Sequence, residues 1–136
     1  MSKIEWSDKL LLEFDPMDRQ HRAFFERLGQ VDTAPDATLE DAWTTMLGQA
    51  VEQFGREDEW MRKTRYGSAG NHMLQHRVVL NILREGLGMV RAHDVPPARE
   101  MVQELASWFS KHTQTEDAAL ALHLRGADNM TRSHAA

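Results

Sequence analysis

Gly67-Ser68-Ala69-Gly70-Asn71-His72-Met73-Leu74-Gln75-His76-Arg77-Val78 holds a break, a cap and the opening of a helix, and its reading organises the rest of the chain. The glycines interrupt the preceding pattern, and Asn71 can accept the unpaired N–H groups of a new helix. Leu74, Val78, Ile82 and Met89 then recur at helical spacing to about Ala92. His72 and His76 lie four apart in this segment, so both imidazoles leave one helix face and can converge on one ion. Taken alone the pair says little, because soluble helices carry such pairs by chance.

Working outward, three more helical segments appear. A short arm over residues 1–15, carrying Trp6, Leu10, Leu11, Leu12 and Phe14, ends at Asp15-Pro16, where Asp can cap and Pro can fill the first turn of a helix over 16–30. Asp32 to Thr38 reads as a loop, and Thr38 with Asp41 resembles the start of a second helix over 38–64, along which Trp43, Met46, Leu47, Ala50, Phe54 and Met61 recur. The third helix covers 71–92. His93-Asp94-Val95-Pro96-Pro97 breaks the pattern again, and a fourth helix runs over 97–120 with Val102, Leu105, Trp108 and Phe109 on its apolar side. Residues 121–136 form a tail, whose part after Gly126 is small and polar and is expected to fray. Strand signals are nearly absent, and connections this short favour an all-α, antiparallel up-down-up-down four-helix bundle with an N-terminal arm. Core packing accounts for each Met and aromatic on the apolar faces.

Composition removes several classes of function. The 136 residues suit one domain spanning 1–136, and 41% hydrophobic with 27% charged residues is globular composition. No apolar run approaches the roughly 18 residues of a membrane span, so no membrane is expected as a partner. A net charge of −5 without a dense basic patch argues against nucleic acid. The opening Met1-Ser2-Lys3-Ile4-Glu5-Trp6 lacks the features of a secretion signal, which points to the cytoplasm, and zero cysteines fit that compartment. Without thiolates, any metal must be held by imidazole and carboxylate.

Such groups occur on every expected helix: His21 on the first, Glu57 on the second with Gln53 one turn before it, His72 and His76 on the third, and His112 with Asp117 on the fourth. Metal sites in bundle cores need this distribution. Imidazole nitrogen with carboxylate oxygen suits iron, zinc or manganese, and bridging carboxylates allow two ions to sit close together.

These residues resemble the hemerythrin family, including its single-domain bacterial forms. The resemblance rests on Trp6, Asp18-Arg19-Gln20-His21, Gln53-Phe54-Gly55-Arg56-Glu57 with Met61 and Tyr66, His72-Met73-Leu74-Gln75-His76, and Trp108-Phe109-Ser110-Lys111-His112 with Asp117, and it spans the arm to about Leu120. It implies a non-haem di-iron centre that binds dioxygen, or another small diatomic ligand, reversibly. One iron would take His72, His76 and His112. The other would take His21 and the residue at position 53, and Glu57, Asp117 and a solvent-derived oxygen would bridge the two. Dioxygen would bind the second iron.

Position 53 departs from the family pattern, because Gln53 stands where the resemblance implies a histidine. A neutral amide oxygen is a weaker donor than imidazole nitrogen. The amide could ligate iron, could hold a water in the gap, or could leave the second iron weakly bound. Glu52 and Glu59 do not share the face of Glu57. A second point concerns His112 and Asp117, five apart and therefore about 140° around a regular helix, where Glu116 would share the face better. The resemblance selects Asp117, which predicts a π-bulge or a long reach at that point. Phe54, Tyr66, Leu105, Trp108 and Phe109, with Leu47 and Ala50, are expected to wall the site, and His93, His123 and His134 to lie in solvent. Three function classes follow: a dioxygen-binding protein for carriage, storage or sensing; a di-iron redox or stress protein acting on peroxide or nitric oxide or in iron handling; and a metal-free helical interaction module. No substrate motif marks the chain as an enzyme, and one amphipathic pattern leaves the oligomeric state open.

Overall fold

A computed structural model describes residues 4–135, with side chains to residue 127. After a single 3-10 turn at Asp8–Leu10 come α1 (Asp15–Thr33), α2 (Asp36–Lys63), α3 (Ala69–Arg91) and α4 (Val95–His112), then a π-helical turn at Thr113–Asp117 that leads into α5 (Ala118–Ala135). Among the described residues there is no strand. Helix α1 packs on α2 and α4, and α3 packs on α2 and α4, which closes a square of four helices. The two- to five-residue connections force each helix antiparallel to the one before it.

Each helix turns an apolar stripe inward. On α1, Phe24, Leu28 and Val31 recur at spacings of four and three, and on α4 Ala98, Val102, Leu105 and Phe109 do the same. These join Leu39, Trp43, Met46, Ala50 and Phe54 of α2 and Val79, Leu83, Leu87 and Val90 of α3 in the main core. Trp43 is fully buried and its indole N–H donates to the Leu83 carbonyl at 2.8 Å. The ring lies directly over Gly86: a Cβ there would meet Trp43 Cζ2 at 2.1 Å and Met101 Sδ at 2.8 Å. Gly86→Ala should therefore destabilise the protein by about 2–3 kcal/mol, measured by denaturant unfolding, because a pinned indole cannot yield.

The helix ends differ from the sequence expectations in instructive ways. Asp15 lies inside α1 rather than capping it; Asp18 instead reaches back to accept from the N–H groups of Leu12, at 2.8 Å, and Phe14, at 3.2 Å. Helix α2 starts at Asp36, two residues before Thr38, and α3 starts at Ala69, so that Asn71 sits in its first turn rather than at its cap. The largest difference is at the C-terminus. Residues past Leu120 continue as α5 instead of fraying, because Leu120, Ala121 and Leu124 complete a second core cluster with Met17 and Met61. His123 Nε2 lies 2.9 Å from Thr64 Oγ1, and the Arg125 guanidinium donates to the Leu12 carbonyl. Together these contacts tie α5 to the α2–α3 corner and to the arm.

Candidate metal centre

The bundle carries its polar residues inside. His21 comes from α1, Gln53 and Glu57 from α2, His72 and His76 from α3, His112 from the end of α4 and Asp117 from the end of the π turn, and all seven are buried. The π turn inserts one residue into the fourth helix. Asp117 is thereby carried to the inward face and is fully buried, while Glu116 stays at partial exposure.

One ligating atom each of Glu57, His72, His76, His112 and Asp117 lies within 4.8 Å of all the others. His21 joins through the carboxylates, and the distances show how. Asp117 Oδ1 stands 3.0 Å from His72 Nε2 and 3.3 Å from His112 Nε2, whereas its Oδ2 stands 3.2 Å from His21 Nε2. Glu57 divides likewise: Oε1 lies 3.7 Å from the Nε2 atoms of both His72 and His76, and Oε2 lies 4.0 Å from His21 Nε2. Each carboxylate thus turns one oxygen toward two imidazoles of the His72, His76, His112 group and the other toward His21.

These approaches are close but lack hydrogen-bond alignment, and the Nε2 atoms and all four carboxylate oxygens have no hydrogen-bond partner. Buried polar groups are normally paired. Donor atoms crowding together without bonding one another behave as if aimed at a third point, the arrangement expected around a cation. The outer ring nitrogens fit the same picture. His76 Nδ1 lies 2.8 Å from Asp58 Oδ1, and His112 Nδ1 lies 3.0 Å from Gln75 Oε1. Each acceptor holds the proton on Nδ1 and leaves the Nε2 lone pair pointing inward. Asp58 and Gln75 escaped the sequence reading; the available signal is that a ligating imidazole needs an acceptor on its far nitrogen.

Aromatic rings fix the imidazoles further. Phe54 stacks on His76 at 4.0 Å between centroids, and Trp108 stacks on His112 at 4.4 Å. Phe109 buttresses Phe54 and Phe24, and Leu105 lies buried in the core beside them. Tyr66 stands at the turn after α2 against the ring of His123. His123 is therefore bonded to the protein rather than solvated, His93 is exposed, and the side chain of His134 lies outside the described residues.

The charges are strongly coupled. Burial and the neighbouring Asp117 charge push Glu57 up to about 8. For His72, burial opposes protonation, but its contacts with Asp117 and Glu57 outweigh it and raise the group to about 9. Burial likewise opposes charge on Asp117, yet His112, His21 and His72 hold it well below the usual carboxylate range. Burial lowers His76. At neutral pH the metal-free cluster consequently keeps protons on Glu57 and His72, and an entering cation must displace them. Metal affinity should rise as pH increases from 6 to 9, with protons released on binding at pH 7 in a weakly buffered titration. Affinity that is flat across that range would contradict the assignment.

A buried carboxylate–imidazole cluster supplied by all four helices defines the class: a bundle-core metal-binding protein. Residues 13–124 match the model of the hemerythrin HHE cation-binding domain. The chain belongs to the hemerythrin family, whose members bind non-haem iron, and it is a di-iron-type domain of that family. It is 25% identical over 126 residues to a bacteriohemerythrin of Stenotrophomonas maltophilia (strain R551-3), covering 89% of this chain and 81% of that protein. The crystal structure of a hemerythrin point mutant superposes with a TM-score of 0.82 at 16% identity, covering 91% of this chain and 98% of the other, which establishes the shared fold. Among the described residues no helix is long and apolar enough to cross a membrane.

Proposed function

We propose that the chain acts as one domain in the cytoplasm, holds two non-haem irons and binds dioxygen reversibly. The observation supporting this reading is the division of both carboxylates, one oxygen of Glu57 and of Asp117 facing His72, His76 and His112 and the other facing His21. When bound, iron in such a centre supplies the electrons with which dioxygen is taken up. His72, His76 and His112 saturate one side of the cluster with nitrogen. His21 alone supplies nitrogen to the other side, so fewer protein donors would compete there with a small ligand and a solvent-derived oxygen bridge. Phe54, Phe109 and Trp108 close the nitrogen-rich side with apolar surface, which limits the water and protons that reach the cluster from there.

Gln53 supports a second reading. It is fully buried with neither amide atom hydrogen-bonded, so its N–H can donate to a ligand or its carbonyl accept from a water. A hydrogen-bonding group at that place, in lieu of a firm ligand, favours redox turnover with peroxide or nitric oxide over simple carriage. Iron content with the visible spectrum of the purified protein separates the two. Two irons per chain and a colour that appears with dioxygen and fades on its removal support carriage; irreversible oxidation with peroxide consumption supports turnover; an iron-free protein sinks both.

A further inference from the structure

The two sets of donors differ in kind. Facing one side of the carboxylates are three imidazole nitrogens with Glu57 Oε1 and Asp117 Oδ1; facing the other are the single nitrogen of His21 with Glu57 Oε2 and Asp117 Oδ2. Gln53 lies one turn before Glu57 on the same face of α2, and its buried amide is without a partner. Turned toward His21, its carbonyl would add an oxygen donor and give the second set one nitrogen and three oxygens.

We propose that the two positions differ in metal choice: the three-imidazole position keeps iron, and the His21–Gln53 position accepts manganese(II). The proposal rests on the two-position reading given above. Affinity of nitrogen-rich sites climbs from manganese through iron to zinc, whereas carboxylate, carbonyl and water oxygens suit manganese. Removing imidazoles from a position narrows the preference for iron, so an excess of manganese can occupy it. The neutral amide also binds any ion less tightly than imidazole. Iron(II) offered alone should therefore load in two steps, the second weaker by roughly 30-fold or more.

The test supplies the metal-free full chain, without oxygen, with two iron(II) and twenty manganese(II) per chain, removes unbound metal by gel filtration and measures both elements. The expected result is one iron and one manganese. Gln53→His should return about two irons from the same mixture, and Gln53→Leu, checked for helix content by circular dichroism, should keep the iron and lose the manganese. Two irons with manganese excluded from the unmodified protein, or the same occupancy in all three proteins, would overturn the proposal while leaving the two-position reading standing. Retention of neither metal, or iron retained undiminished by His72→Ala, would overturn the two-position reading itself.

Discussion

Asp117→Asn lowers metal affinity by about 100-fold or more, whereas Glu116→Gln changes it by less than about threefold. The neighbours differ by one residue in sequence and by their place in the fold. Asp117 lies fully buried with Oδ1 at 3.0 Å from His72 and Oδ2 at 3.2 Å from His21, so one side chain serves both donor sets. An asparagine keeps the shape but replaces one anionic oxygen with an N–H₂ that repels a cation. It also withdraws the charge that offsets burial at His72 and His21, whose proton affinities should fall toward and below the ordinary imidazole value. Competition against a coloured chelator measures the affinities, and NMR titration of the imidazoles follows the protons. Equal losses for the two variants would mean that the π turn does not select the carboxylate.

Removing metal with a strong chelator lowers the thermal unfolding midpoint by roughly 10–20 °C. A ligand that binds only the folded state at about 100 times its Kd adds about 2.7 kcal/mol, and the two ions proposed above would add about twice that. For a chain of this size each kcal/mol moves the midpoint by a few degrees. The bare cluster worsens the loss. His21, Gln53, Glu57, His72 and Asp117 keep buried polar atoms without partners at the centre of the bundle, each a desolvation penalty that a cation relieves. Calorimetry before and after chelation, with restoration by added iron(II), measures the difference; a change below about 3 °C would mean that metal is not coupled to folding.

The architecture was legible because it depends on periodicity. Leu28, Trp43, Leu83 and Val102 mark stripes that only helices can bury together, and Gly70 and Pro96 punctuate them. The cluster was legible too, since every expected helix supplies at least one donor and His72 with His76 stand four apart, and of the π-bulge or long reach expected between 112 and 117 the structure shows the π turn at Thr113–Asp117. Helix ends were misread because caps depend on partners beyond local sequence: Asp18 caps from inside α1, and Ser68 rather than Asn71 precedes α3. The C-terminal helix was missed because Gly126 and the polar residues after it suggest fraying, while Leu120, Ala121 and Leu124 find Met17 and Met61 only in three dimensions. Asp58 and Gln75 were invisible for the same reason, as their bonds to His76 and His112 cross between helices.

The π turn gives the fourth helix two phases. Ala98, Val102, Leu105, Phe109 and His112 form one buried stripe, which a regular helix would carry on to Glu116; the added residue restarts the stripe at Asp117, Leu120, Ala121 and Leu124. Asp117 is therefore the root of a separate segment, whose first two turns are latched by His123 to Thr64 and by Arg125 to the arm. The first residue inward of that segment is thus the carboxylate whose oxygens face His72 and His112 on one side and His21 on the other. The docking of the chain's last helix and the placing of a carboxylate that faces both His72 and His21 thus depend on the same five-residue turn.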